Sequence, residues 1–525
     1  MNVFHLMRNL LPHRSLITFM LLVMVIASCT QKGMNEISTT EGIVSGLPNA
    51  AGDVHIFKGV PFAAPPLGDL RWKEPQPTKP WEGVRTCNTW PASPIQNHPV
   101  PFMMWTQEFI TPAEPLSEDC LYLNIWTPAK SPNEKLPVLV WIHGGGFSSG
   151  SGACAIYDGE AIAQQGIVYV SINYRLGIFG FMAHPELTAE SEHKASGNYG
   201  LMDQQAALRW IQKNIGAFGG DPNQVTIAGQ SAGSMSVNAM VASPLSKGLL
   251  QRAIAQSGGM ISDRFSNTLS HAEAIGSEVS KKLNVTTLQE LRLVPTDSLL
   301  KVSGTLPFGS FGPIADGYVL PDLVKNILLK KQHQQVPMIS GWVTGDGDLF
   351  GGELPTAEAF TQFAHETYGK HAQAFLIAFP STTDDDAKNS KRKLNLMEFA
   401  GYPSYVWAAV NDNPTYLYHF SHVPTDKPNF PNYGAFHTSE VPYALHTLNM
   451  WGRPWKERDY KMEKIMNGYW INFVKTGSPN GADLPEWSRY ESQTGSVMEF
   501  NEGAKLIPGM FKAEFDVMDK KNQQP

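Results

Sequence analysis

Two unbroken apolar runs, Val138-Leu139-Val140-Trp141-Ile142 and Ile167-Val168-Tyr169-Val170-Ser171-Ile172, give the clearest local signals in this chain of 525 residues. Each is bounded by turn residues, the pattern of a strand buried on both faces, as in a parallel sheet under helices. Val225-Thr226-Ile227-Ala228 and the stretch from Val336 to Val343 read the same way. Between Asp203 and Ile215, the apolar residues Ala207, Trp210, Ile211 and Ile215 recur at helical spacing, and small residues predict a second helix from Ala232 to Val241. Strand and helix in alternation predict an α/β fold. Ile43 to Phe57 alternates loosely and predicts an N-terminal hairpin, followed by proline-rich loops from Pro61 to Pro101. Residues 260–335 and 355–410 read as mainly helical insertions over the sheet. No linker separates them, so residues 41–525 are expected to form one domain.

Composition narrows the class without naming a chemistry. A hydrophobic content of 42% supports a large core, and a net charge of −7 with no basic run argues against a nucleic-acid footprint. An aromatic content of 10%, with 13 Trp, suits an apolar pocket. No internal repeat or metal-ligand cluster stands out.

The N-terminus suggests a location. Arg8 and Arg14 accompany a short apolar run from Leu16 to Ala27, too short for a comfortable membrane span. It ends in Ile26-Ala27-Ser28-Cys29, which resembles the processing box of bacterial lipoproteins. Residues 1–28 are therefore expected to be an export signal, Cys29 the lipidated first residue of the mature chain, and residues 29–40 a polar tether to a membrane. Thr30 resembles the sorting position of proteins passed to the outer membrane; an ordinary secretory signal is the alternative. Export permits disulfides. Cys87–Cys120 is the expected pair, closing a loop with Met103, Met104 and Trp105, and Cys154 is expected to be a free, buried thiol.

Candidate chemistry centres on Gly229-Gln230-Ser231-Ala232-Gly233. A predicted strand runs into it and a predicted helix leaves it. Glycines two residues either side of Ser231 permit a turn that lifts the hydroxyl clear of the sheet, the nucleophile elbow of an α/β-hydrolase. A second match, Gly146-Phe147-Ser148-Ser149-Gly150, lacks that context, and Ser148 is read as a loop serine. A serine nucleophile needs a general base, itself oriented by a carboxylate, in the chain order Ser, acid, His. Asp346, in Thr344-Gly345-Asp346-Gly347-Asp348 just beyond a predicted strand, is the preferred acid, with Asp316 competing. His365, His371, His419, His422, His437 and His446 all follow it. Order alone does not choose among them. His437 is favoured by its glycine-containing loop, Tyr433 to His437, and by Thr438 and Ser439, which suit the cap of a helix through Val441 and Leu445. Developing negative charge needs donors. His143-Gly144-Gly145-Gly146-Phe147 follows the strand ending at Ile142, so the N–H groups of Gly145, Gly146 and Ala232 are the expected oxyanion hole.

These residues together resemble the type-B carboxylesterase family, which also contains the cholinesterases. The similarity spans nearly the whole mature chain: KGVPFAAPPLGDLRW from Lys58 to Trp72, SEDCLYLNIW from Ser117 to Trp126, NYRLG from Asn173 to Gly177, GNYGLMDQ from Gly197 to Gln204, FGGDP from Phe218 to Pro222 and YWINFVKTGSPN from Tyr469 to Asn480. The resemblance implies an α/β-hydrolase fold with a large, mostly parallel sheet, and hydrolysis of carboxylic esters without metal or cofactor. It places nucleophile, base and acid on Ser231, His437 and Asp346, and it implies that Ser257 supports the acid. The chain departs from the family pattern twice. Gln230 stands where Glu usually precedes the nucleophile, removing a negative charge beside the histidine and arguing against a choline-ester specialist. Asp346 stands where the acid is usually Glu, one methylene longer, so its loop is expected to sit closer to the base. The reading is two-step acyl transfer from a small-molecule ester to water; a non-catalytic adhesion-like member, or transfer to an acceptor alcohol, are the alternatives. Met103, Met104, Trp105 and Phe109 are expected either to form an apolar flap over the site or to pack beneath their loop.

Overall fold

The computed structural model describes residues 34–262, 267–349 and 353–522. The export signal and Cys29 lie outside these residues. Among the described residues no helix is long and apolar enough to cross a membrane.

An eleven-stranded sheet organises the chain. Its strands are β1 (Leu47–Pro48), β2 (His55–Pro61), β3 (Tyr122–Thr127), β4 (Leu136–Ile142), β5 (Val168–Ile172), β6 (Gly220–Gln230), β7 (Arg252–Gln256), β8 (Met338–Val343), β9 (Thr415–Phe420), β10 (Val497–Phe500) and β11 (Ala504–Ile507). They lie in the order β11-β10-β9-β8-β7-β6-β4-β5-β3-β2-β1. The strands from β10 across to β5 are all parallel, and β11 on one side and β3, β2 and β1 on the other pair antiparallel.

The apolar runs become these central strands because alternate residues feed two different cores. In β4, Val138, Val140 and Ile142 join the cluster on one face, while Leu139 and Trp141 join the cluster on the other. A strand covered on both sides has no polar face to show. Helices α1 (Tyr199–Asn214) and α2 (Ala232–Ala242) pack on the first face, and α3 (Glu457–Thr476), through Met466, Trp470 and Phe473, on the second. The segments expected to be helical insertions are so: helices at 269–303 and 324–329 and again at 357–410.

Two expectations are corrected. Cys87 and Cys120 are buried free thiols, as is Cys154. Each of the expected pair is enclosed separately. Cys87 is pinned between strands by its own N–H to Ser45 and the Lys58 N–H to its carbonyl, with its thiol facing the Gly59 carbonyl at 3.8 Å. Cys120 faces a small void walled by Trp72, Arg175 and Phe179. Burial pushes the Cys87 thiol up to about 11 and the Cys120 thiol well above its ordinary value. Nor do residues 36–40 belong to a tether: Glu36–Ser38 is a strand paired antiparallel with Ile43–Ser45, and Ile37 is buried.

Candidate active site

The turn at Ser231 is tight because almost nothing fills it. Strand β6 ends at Gln230 and α2 begins at Ala232, leaving Ser231 at φ 59° and ψ −121°, a strained backbone for a residue with a Cβ. A Cβ at Gly233 would lie 2.0 Å from the Ile142 carbonyl oxygen, and one at Gly229 only 2.6 Å from the Gly233 backbone. Glycine is therefore required at both positions for strand, turn and helix to close on β4. The Ser231 N–H donates to the Gln256 carbonyl at 2.9 Å, tying the turn to the end of β7.

The glycine run after β4 lies alongside. A Cβ at Gly144 would stand 3.1 Å from that of Ser231, so the two turns are in contact. His143 stacks on Tyr174 with ring centroids 4.5 Å apart and is paired through Nδ1 with the Gly144 carbonyl at 2.8 Å. Burial lowers its proton affinity to about 4, so it is neutral at ordinary pH. The loop's own turn bonds run from Ser148 and Ser149 N–H to the Gly145 carbonyl at 3.1 and 3.0 Å, and make no use of the Gly145 and Gly146 N–H groups. Ala232 is the first residue of α2, where N–H groups have no helical acceptor. Ser148 is an exposed loop serine, as expected.

Asp346 and His437 meet. His437 Nδ1 lies 2.6 Å from Asp346 Oδ1, with both side chains buried, and the other carboxylate oxygen accepts the Val343 N–H at 2.9 Å. The shorter acid reaches because its turn docks on the histidine loop. The Gly345 N–H donates to the Ala435 carbonyl at 2.8 Å, and a Cβ at Gly345 would lie 2.6 Å from that same oxygen. The competing groups are elsewhere. Asp316 closes a turn by accepting the Tyr318 and Leu320 N–H groups, and Asp348 faces solvent beside Arg392. His422 pairs with Asp459, and buried His419 with the Thr344 hydroxyl.

One link of the constellation is open. The bonds of His437 run to Asp346 and towards Gln230, and none runs to Ser231 among the described residues. Ser257 does not support the acid directly: its backbone is left-handed at φ 54°, and its buried hydroxyl has no partner among the described residues. Thr438 and Ser439 do not cap the following helix, Val441–Leu445, whose N-cap is Glu440 with no side-chain cap bond.

Glu440 is the functional-looking residue that sequence reasoning passed over, although an acid leading into an apolar helix three residues after His437 was a usable signal. It is fully buried and receives one long bond, 3.4 Å, from Gln256 Nε2, whose carbonyl end is held by the Trp470 indole. Burial, with the Asp346 charge adding to it, pushes its carboxyl up to about 8. The folded protein therefore keeps a proton that the unfolded chain releases near 4.5. Stability conferred by that proton is complete below pH 4.5, falls as pH rises, and is lost by about pH 8. Each tenfold difference in proton affinity is worth about 1.4 kcal/mol. Glu440→Gln, uncharged and of the same shape, is expected to flatten this fall, gaining on wild type on the order of 3 kcal/mol between pH 5 and pH 8. Parallel urea titrations at the two pH values measure it; identical pH dependence of the two proteins would remove the neutral Glu440.

A cavity of about 450 Å³ opens from Ser231, Ala232 and Gly146. Its walls come from the helical insertion rather than the sheet: Met260, Ile275, Leu306 and Phe311, closed by Leu349 and Phe399. His271 and Glu278 give it a polar rim. Phe308 covers Gly146, where an added Cβ would meet its ring at 2.7 Å, yet the side chain is 81% exposed. The loop expected to be a flap divides. Met104 and Phe109 pack beneath it, Phe109 against Phe436 and Trp451, whereas Met103 is exposed and Trp105 stands edge-on to His437 at 6.4 Å.

The glycine run, Ser231, Ser257, Asp346 and His437 project from the C-terminal ends of parallel strands β4, β6, β7 and β8 and the loop after β9, where open α/β sheets place their sites. With a serine turn between β6 and its helix, the fold is that of the α/β-hydrolases. Residues 34–518 match the family model described as Carboxylesterase family, and the chain belongs to that family. It is 36% identical to Fumonisin B1 esterase of Sphingopyxis macrogoltabida over 487 residues, covering 88% of this chain and 85% of that protein. It is 34% identical to Carboxylesterase 1C of Rattus norvegicus over 501 residues, covering 87% of this chain and 88% of that one. Among solved structures, a PNB esterase superposes with a TM-score of 0.80 at 29% identity, covering 93% of this chain and 99% of that one. The protein is a carboxylic ester hydrolase.

Proposed function

We propose that Ser231, His437 and Asp346 form the catalytic triad, with Gly145, Gly146 and Ala232 as the oxyanion hole. The observation that carries this reading is the 2.6 Å contact of two buried side chains, His437 and Asp346, beside a strained serine turn. Asp346 fixes the proton of the imidazole on Nδ1 and leaves Nε2 as the base. The Ser231 oxygen bonds to the ester carbonyl carbon as its proton passes to Nε2. The oxyanion is received by backbone N–H groups, and its collapse expels the alcohol, which takes the proton from His437. Water repeats the sequence on the acyl-enzyme and releases the acid. The cavity's apolar walls support esters with an apolar body of moderate size as substrates, and Gln230 in place of an acid beside His437 supports neutral over cationic ones.

Export with a diacylglyceryl group on Cys29, and attachment to a membrane by it, is supported by the sequence alone. One experiment addresses both readings. A fluorophosphonate probe is applied to the full-length expressed protein, which is then digested and analysed by mass spectrometry. The label is expected on the Ser231 peptide alone, and the N-terminal peptide is expected to begin at a lipidated Cys29. Folded protein that takes no label would sink the triad; an unmodified N-terminus would sink the anchor. A p-nitrophenyl ester series is expected to show KM falling as the acyl chain lengthens from acetate to hexanoate.

A further inference from the structure

The side chain of Gln230 is 2% exposed and lies against the proposed base. Its amide nitrogen is 3.1 Å from His437 Nε2 and 3.4 Å from Nδ1. A donor aligned with the in-plane lone pair of Nε2 would be far from Nδ1, on the other side of a ring carbon. Near-equal distances to both nitrogens place the amide over the face of the imidazole, so Nε2 remains open to Ser231.

The amide has two unlike ends, and a chain of hydrogen bonds selects one. The Thr438 hydroxyl donates to Gln230 Oε1 at 3.4 Å, which turns the NH2 end toward the ring. Thr438 is in turn held by the Trp105 indole N–H at 3.2 Å. Thr438 itself sits at φ 85°, unusual for a β-branched residue, and is buried. Trp105 belongs to the turn closed by Phe102 and is edge-on to the same histidine.

The NH2 end of an amide carries partial positive charge and its carbonyl end partial negative charge. A neutral imidazole face accepts the former, but the imidazolium formed when Ser231 loses its proton is repelled by it. We propose that Gln230 is a positioning residue whose amide, locked NH2-inward by the Trp105–Thr438 chain, restrains charge development on His437 and so sets the rate of acylation without touching substrate. The inference rests on the triad reading above. The restraint is a property of orientation, so releasing the lock frees the amide to turn its carbonyl inward.

The test is the rate of serine phosphonylation by the fluorophosphonate, a step in which the Ser231 oxygen–phosphorus bond forms, fluoride leaves and the serine proton passes to His437. Thr438→Ala and Trp105→Phe each break the lock and are expected to speed labelling and kcat on p-nitrophenyl butyrate about 3- to 10-fold, the reach of one reoriented hydrogen-bonding dipole. KM should stay within about twofold, since nothing that contacts substrate changes. Thr438→Ser keeps the hydroxyl and should keep the wild-type rate. In a Gln230→Ala background the further change Thr438→Ala should do nothing, because the amide it orients is gone. An unchanged or slower rate in folded Thr438→Ala and Trp105→Phe overturns the proposal, as does the same Thr438→Ala effect with and without Gln230. Failure of wild type to label at Ser231 is a different result, and overturns the triad beneath it.

Discussion

Ser231→Ala is expected to lower kcat/KM on carboxylic esters by about 10⁵- to 10⁶-fold, the range found when the nucleophile of a serine-histidine-acid site is removed. The fold should be untouched. Alanine keeps the Cβ, and with it the strained turn at φ 59°, and the lost hydroxyl makes no hydrogen bond to His437. A change in melting free energy within about 0.5 kcal/mol is therefore anticipated. What survives would come from Gly145, Gly146 and Ala232 polarising the carbonyl for attack by water. Steady-state kinetics on p-nitrophenyl butyrate, with calorimetry as the folding control, decide it. Retention of even a hundredth of the wild-type rate by a freshly repurified variant would move the nucleophile elsewhere.

Asp346→Asn is expected to reduce kcat by about 10⁴-fold. The carboxylate faces two donors from fixed directions, accepting a hydrogen bond from the Val343 N–H at one oxygen and from His437 Nδ1 at the other. An amide satisfies Val343 with its oxygen and is forced to present its NH2 group to Nδ1. The imidazole must then protonate on Nε2, the atom that has to receive the serine proton. Lengthening the acid is no remedy, because the turn that carries it is already pressed on the histidine loop through Gly345. Asp346→Glu should therefore also lose activity and melt earlier. A loss below about tenfold for Asp346→Asn would assign the orienting role to another group.

The strands were legible because burial on both faces leaves an unbroken apolar run, as in β4 and β5, and the elbow because its two glycines sit where strand and helix collide. The pairing of Asp346 with His437 was readable as order and context. Its closeness was not, since it depends on Gly345 meeting Ala435 across the fold. The face-on contact of Gln230 and the buried proton of Glu440 were equally hidden, because each is defined by partners far along the chain. The Cys87–Cys120 expectation failed for the same reason in reverse: a compartment that permits disulfides says nothing of how the fold encloses each thiol, Cys87 against the Gly59 carbonyl and Cys120 at the void beside Trp72. Pocket residues were the least accessible, as the cavity is walled by one helix and by the turns at 306–313 of the insertion, whose sequence reports nothing of which cavity they face.

The distances in sequence at the site have a consequence for how the protein comes into being. Gln230 touches His437 across 207 positions, and Trp105 touches Thr438 across 333. Contacts of such span form late, after the loops between them have closed, and proteins rich in them fold slowly. A nascent chain halted before residue 437 carries the serine and its glycine loop but lacks the proposed base, so synthesis that stops there is expected to yield an inert product rather than a weakened one. Turnover is thus expected to be an all-or-none gauge that the chain as far as residue 437, with only its last sixth still to follow, has arrived and docked.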